Sequence, residues 1–263
     1  MAILSVNDYM SAGKDEFSIT KTATRTSVAA VPFSVFDLAG QPGAGTLAGS
    51  STAAGVVPTD ATPGCPLINA FAGGAEGMLT KIDYSSSVAC TITLYDLLFK
   101  AGAYAFNANT ALAGQPSFAG RIPADDLASE LWIEAVTAFT GTPSFAVTYT
   151  NELGVAGKTT GTISAGAALT LGRMFRMPLD GQDRGVSVVQ NVAGSVATVG
   201  TFNVLVMRRL ARMRVPVAGF ADTLDLIRCG RKRVYADSAL VAVVAADSTS
   251  TGLPDLAIQI ANK

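Results

Sequence analysis

The sharpest signal in the chain is a switch of side-chain pattern between residues 131 and 163. From Ser144 to Thr150, apolar Phe145, Val147 and Tyr149 alternate with Ser144, Ala146, Thr148 and Thr150. Successive strand side chains point to opposite faces, so period two predicts a half-buried strand. Just before it, Leu131 to Thr137 is a β-branched and aromatic run, which predicts a second strand. Between them, Thr140-Gly141-Thr142-Pro143 predicts a turn, because Gly relaxes φ while Pro presets it and lacks an N–H. Asn151-Glu152-Leu153-Gly154 predicts another turn, leading into a polar strand over Lys158 to Ile163. Together these read as a three-stranded antiparallel meander.

The same patterning predicts strands at Met78–Tyr84, Cys90–Phe99, Ala168–Leu179, Gly185–Val192 and Val196–Met207. In the last, Phe202, Val204 and Val206 share one face. About six strands with turn signals every 8–12 residues suit a sandwich or barrel. The expected fold is all-β: an antiparallel, jelly-roll-like β-sandwich with an extended N-terminal arm and long loops. Residues 1–16 open with a short helix capped by Ser5 or Asn7, and Phe17–Val35 gives one long strand or two short ones, with Pro32 at an edge or break. Residues 39–75 are almost all Gly, Ala, Ser, Thr and Pro. Such a stretch buries too little apolar surface to offset its ordering entropy alone, so it is an arm that orders against something else or a disordered linker. Ala101–Gly120 reads as a loop whose Tyr104 and Phe106 either anchor in a neighbouring surface or form a lid over the chain's own core. The expected divisions are an arm over 1–76, a sandwich core over 77–215 and an extension or added layer over 216–263.

Composition changes the picture. Only 15% of the 263 residues are charged and 49% are hydrophobic, against roughly 25% charged in typical soluble domains. A chain this poor in charge is expected to lie in a membrane or to bury surface against neighbours. The longest apolar run near the C-terminus, Ser238–Ala246, is bounded by Asp237 and Asp247 and is far short of the ~20 residues of a spanning helix. Residues 1–10, with Asn7 and Asp8, do not read as a signal peptide. An assembly subunit is therefore expected, made in a cytosol, with no membrane partner.

Histidine is absent, which excludes His-based triads and His-ligated zinc. Cys65, Cys90 and Cys229 are widely spaced and odd in number, as expected of reduced buried thiols. No enzyme activity, cofactor or metal is expected. Carboxylates recur at Asp125, Asp126 and Glu130 and at Asp180 and Asp183. These read as surface turns, and a glycan-cleaving pair such as Asp125 and Asp183 is the disfavoured alternative. The largest charge asymmetry is basic: Arg208, Arg209, Arg212 and Arg214, then Arg228, Arg231, Lys232 and Arg233. It reads as a solvated strand end and loop, an acidic protein partner's site, or a phosphate site. Nucleic acid is the weakest of these, since only Tyr235 offers an aromatic for stacking.

The segments LWIEAVTAFTGTPSFAVTYTNELGVAGKTTG, GRMFRMPL and GTFNVLVMRRL resemble structural proteins of tailed-bacteriophage virions, of the capsid cement or decoration (minor capsid) type. The resemblance covers roughly residues 78–210 and rests on general character rather than on one motif. Its elements are Thr/Ala/Gly-rich strands, a YTN turn, low charge and few cysteines. It implies binding to the outer face of a capsid, as a homotrimer whose partners are itself and the major capsid protein or another virion protein. A tail, baseplate or head-fibre component is the alternative it leaves open. No catalytic residue carries over.

Overall fold

The fold is described from a computed structural model covering residues 5–69, 71, 76–139, 141–164, 171–195, 199–249 and 252–262. In chain order the elements are α1 (Val6–Ser11), β1 (Gly13–Lys21), β2 (Pro32–Ser34), β3 (Gly40–Gln41), β4 (Glu76–Ser86), β5 (Cys90–Ala105), β6 (Asn109–Ala111), β7 (Glu130–Ala135) and β8 (Ser144–Asn151). They continue with β9 (Lys158–Thr159), β10 (Ile163–Ser164), β11 (Met174–Met177), β12 (Val186–Gly194), β13 (Thr201–Val215), β14 (Ala221–Leu224), β15 (Arg233–Tyr235), β16 (Leu240–Ala246) and β17 (Pro254–Asn262). The protein is thus nearly all β and antiparallel, as the patterning predicts. Of the two expected caps of α1, Ser5 is the one used: its Oγ accepts the Asp8 N–H at 3.1 Å and its own N–H donates to the Asp8 carboxylate at 3.0 Å.

The chain divides into two compact units. The first comprises Met1–Thr46, Thr59–Asp96 and Arg209–Lys263. One of its sheets runs β14-β4-β17-β1-β3, with β15 also on β4. The other is formed by the parts of β13 and β5 belonging to this unit, then β16 and β2. Alternation makes the inner rows: Ile19, Leu256 and Tyr84 stand opposite one another, as do Phe17, Ile258 and Ile82. They pack on Ile92, Leu94, Ala242, Val244, Met213 and Val215 of the facing sheet. Full burial of each large aliphatic side chain contributes about 1.5–3 kcal/mol. Pro32 starts the edge strand β2, where its missing N–H costs no ladder bond.

The second unit comprises Leu47–Pro58 and Leu97–Arg208. Its sheets are β10-β8-β12-β6, with β9 on β8, and β11-β7 followed by this unit's parts of β13 and β5. Phe145, Val147, Tyr149, Val189 and Val192 meet Leu131, Ile133, Phe202, Val204 and Val206 in one core. An aromatic cluster lies at its centre, with Phe106 against Phe139 at 4.4 Å and Phe145 edge-on to Phe202 at 4.8 Å between centroids. Each unit is a β-sandwich. The strand orders do not of themselves make either one a jelly roll.

Three expectations are corrected. First, β7 and β8 exist but do not form a hairpin. β7 pairs with β11 and β13, while β8 pairs with β12, β9 and β10, so only the β8–β9–β10 part of the meander forms. Second, contacts do not divide the chain at 76 and 215: residues 216–263 supply β14 to β17, three of which pair directly with β4 or β1 in the first unit's main sheet. Third, the described part of 39–75 is neither a linker nor an arm awaiting a partner, because it is ordered against its own chain. Residues 47–58 form a strap across the second unit. Val56 and Lys100 exchange backbone bonds at 2.9 Å, the Gly102 N–H donates to Ser51 O at 3.0 Å and the Tyr104 hydroxyl to Thr52 O at 2.9 Å. Buried Arg121 donates to Pro58 O at 2.7 Å. Buried Asn203 closes the strap's other end, donating to Leu47 O at 2.7 Å and accepting the Gly49 N–H at 2.8 Å.

Candidate interaction surfaces

The arginine-rich cluster is contiguous in sequence but divided in the fold. Arg209, Arg212 and Arg214 lie on β13, exposed between buried Leu210, Ala211, Met213 and Val215. Arg228, Arg231 and Lys232 lie in the β14–β15 connection, and Arg233 begins β15 on the other sheet of the first unit. Arg208 is not a surface residue. It is only 1% exposed, which removes it as a docking contact. Several of the others are neutralised within the chain. Arg214 grips the Asp247 carboxylate with both guanidinium nitrogens, at 2.7 and 2.5 Å. Arg228 pairs with Asp222 at 3.0 Å, and Arg233 lies 3.8 Å from Glu76. Hydrogen bonding from Arg228, then from the Thr223 N–H, holds the Asp222 carboxyl down at about 2. The Arg214 bond likewise lowers Asp247.

Tyr104 and Phe106 are also not partner anchors. They are 2% and 0% exposed and belong to the second unit's core. The reason is that β5 does not stop at Phe99 but continues to Ala105, so the expected loop begins as strand. Of the two readings of these aromatics, the one that keeps them in the chain's own core holds. Trp132 is buried as well, its indole N–H donating to Glu130 Oε2 at 3.1 Å.

Of the candidate carboxylates, Asp180 and Asp183 fasten turns. Asp183 accepts from Tyr149 Oη and Asn151 Nδ2, both at 2.8 Å, and its carboxyl is lowered chiefly by the Asn151 bond. Tyr149 is pushed up to about 12, mainly by burial. Asp180 pairs with Lys158 at 3.0 Å. Asp125 and Asp126 line a cleft of about 410 Å³ with Glu152 and Arg184. The Glu152 carboxylate there accepts the N–H groups of Arg184 and Gly185 at 3.1 and 3.0 Å. Among the described residues, no group of three or more Cys, Asp or Glu side chains is arranged to hold a metal ion.

What the sequence reasoning missed is a set of large apolar side chains left in water. On the first unit these include Val6 and Met10 of α1, Leu67, Val217 and Ile227, the last 83% exposed. On the second they include Leu153, Val155 and Val199, the last 78% exposed. Leu67, Leu153, Val155, Val199, Val217 and Ile227 stand singly in turns and loops and carry no periodicity, while Val6 and Met10 lie four apart on α1, a helix with no buried residue. Among the described residues, no helix is long and apolar enough to cross a membrane.

No family model and no curated protein matches the chain. Solved structures with some likeness are of infectious bursal disease virus. The structure of its Gt strain is 10% identical, with 94% of this chain and 81% of that chain covered, at a TM-score of 0.19. The VP2 subviral particle of the same virus is 8% identical, with 96% and 81% covered, also at 0.19. Scores this low mean that the chain paths do not superpose, and the likeness carries no weight for fold or role.

Proposed function

We propose that this chain is a structural protein of a virus particle, and more narrowly a tailed-phage cement or decoration protein that binds the capsid shell and self-associates as a homotrimer. The role is mechanical and includes no catalysed step. The observation that carries it is the surface. A chain with only 15% charged residues leaves Val6, Met10, Leu67, Val217, Ile227, Leu153 and Val199 exposed on two well-packed sandwiches. Scattered apolar side chains are common on monomers too, and what favours an assembly is their coincidence with so thin a coat of charge, which contact with neighbours would cover. Repetition around a symmetric shell multiplies a weak contact of this kind. Pairing of Arg214, Arg228 and Arg233 with chain carboxylates weighs against a phosphate-binding role.

The test is sedimentation of the purified chain alone and with expanded phage shells. A trimer that co-sediments at a fixed ratio to the major capsid protein supports the reading. A monomer that stays in the supernatant overturns it. Immunogold labelling of particles separates a shell position from the tail, baseplate or head-fibre positions that the sequence leaves open.

A further inference from the structure

We infer that the side of the second unit's sandwich between β10 and β11 is a binding groove for a small organic acid, a molecule with an apolar body that ends in a carboxylate. β10 and β11 are edge strands of that unit's two sheets. Ile163 of β10 and Met177 of β11, with Pro178 and Leu179 after it, line a groove of about 650 Å³. Small-molecule sites span ~300–1,000 Å³. The Gly161 N–H donates to Pro178 O at 3.3 Å, which ties the two walls together. Ile163 and Leu179 are half-buried and pack on the unit's core, while Pro178 is exposed. The lining is therefore apolar and anchored, with surface left for a guest to cover.

Charge selects the guest. Arg176 and Arg184 also line the groove, and both are exposed. The Arg184 main chain is pinned, its N–H donating to Glu152 Oε2 and its carbonyl accepting the Ser129 N–H, both at 3.1 Å. Its guanidinium makes no hydrogen bond or ion pair among the described residues. Arg176 stands 3.7 Å from Glu130, but its side chain is 61% exposed, and so long and wet a pairing neutralises little. The one carboxylate of the lining, Asp183, is already engaged, accepting from Tyr149 and Asn151 at 2.8 Å each. Exposed arginines alone are ordinary. Here they share one concavity with half-buried apolar side chains, and no carboxylate of the lining is left to answer them. A guanidinium pairs bidentately with a carboxylate, and the apolar remainder of such a molecule would cover Ile163 and Leu179.

The experiment titrates the full chain with sodium octanoate, followed by calorimetry and by the methyl resonances of Ile163 and Leu179. Saturable binding at one site per chain is expected, with both methyl groups shifted. Octylammonium has the same apolar body and the opposite charge, and acetate has the charge without the body. Each should bind at least tenfold more weakly than octanoate. Arg176→Gln/Arg184→Gln should weaken octanoate binding at least tenfold. Arg212→Gln, which alters an exposed arginine of the other unit, should retain it within threefold. Circular dichroism checks that the variants are folded. Octylammonium or acetate binding as tightly as octanoate, an unaffected double variant, or shifts confined to methyl groups outside the groove would each overturn the inference. Tighter capture of an acetylated tripeptide acid ending in leucine would transfer the groove to a polypeptide terminus and overturn it as well. No shell or self-association is needed, so this outcome is independent of the sedimentation result for the assembly role.

Discussion

Asn203 offers the most exacting test of how the strap is held. Its side chain is fully buried in β13 and satisfies three bonds: Nδ2 donates to Leu47 O at 2.7 Å and to Glu134 Oε2 at 2.9 Å, and Oδ1 accepts the Gly49 N–H at 2.8 Å. Asn203→Leu keeps the volume and deletes all three. Each buried group so deprived costs about 1–3 kcal/mol, and a bond to a charged carboxylate is worth about 1.5–3 kcal/mol. The strap can lift and take water in exchange, which holds the total near the low end, at about 4 kcal/mol. With a urea slope of about 2.5 kcal/mol/M, the unfolding midpoint should fall by about 1.5 M. Limited proteolysis should open new cuts within 47–58. Asn203→Asp should be at least as damaging, since it turns an oxygen toward Leu47 O and Glu134. Asn191→Ala, which removes only the exposed bond to Asn109, should stay within about 0.5 kcal/mol. A midpoint shift below about 0.4 M for Asn203→Leu, or a harmless Asn203→Asp, would refute the reasoning.

Other outcomes follow from the same physics. Gly55→Ala should destabilise by about 2 kcal/mol or more in the same urea assay, because its φ is +67° and a Cβ would lie 2.2 Å from the Phe99 ring. Asp222 has a folded-state carboxyl lowered to about 2, so its pairing with Arg228 favours the fold at pH values above the ordinary carboxylate range. That contribution is lost as pH falls from about 4 toward 2. The acid limb of the stability–pH curve should therefore flatten in Asp222→Asn, and an unchanged limb would contradict the pairing. Cys65, Cys90 and Cys229 are buried, and burial raises Cys90 and takes Cys229 to about 11. A thiol reagent at pH 8 should label none of them in the native protein and all three in denaturant.

How legible this fold was depended on whether a segment carried its own pattern. β8 was plain because its exposure alternates strictly, with Phe145, Val147, Tyr149 and Asn151 inward. β7 was legible as a strand but not in its pairing. All six of its residues are buried, Glu130 and Glu134 included, so no polar face distinguished its two sides. A pattern states which face a strand hides; it does not name the neighbouring strand, and the connection from β7 to β8 takes the chain to the other sheet. The arginine cluster misled for a related reason. Contiguity suggested one patch, yet Arg208 falls in a buried stretch of β13, Arg209, Arg212 and Arg214 point outward further along that strand, and Arg228–Arg233 belong to the β14–β15 connection and β15 on the first unit's other sheet.

The strap was the least legible element, and its case shows where local reasoning stops. Residues 47–58 hold three large apolar side chains, Leu47, Val56 and Val57, and although Leu47 is buried and Val57 packs on the second unit's core, the order of the whole strap cannot come from so little burial by itself. It comes from backbone groups claimed by Asn203, Tyr104, Arg121 and Lys100, all more than forty residues away in sequence. In the sequence, Asn203 interrupts an apolar strand and Arg121 sits in a loop, and neither looks structural. A buried polar side chain must find partners, and a Gly/Ala/Ser-rich backbone presents donors and acceptors with little side-chain bulk in the way. The polar residues that break the strand pattern and the small residues that lack one are therefore two halves of a single arrangement. Each makes the burial of the other affordable in free energy, and the Asn203 variants remove one half while leaving the other in place.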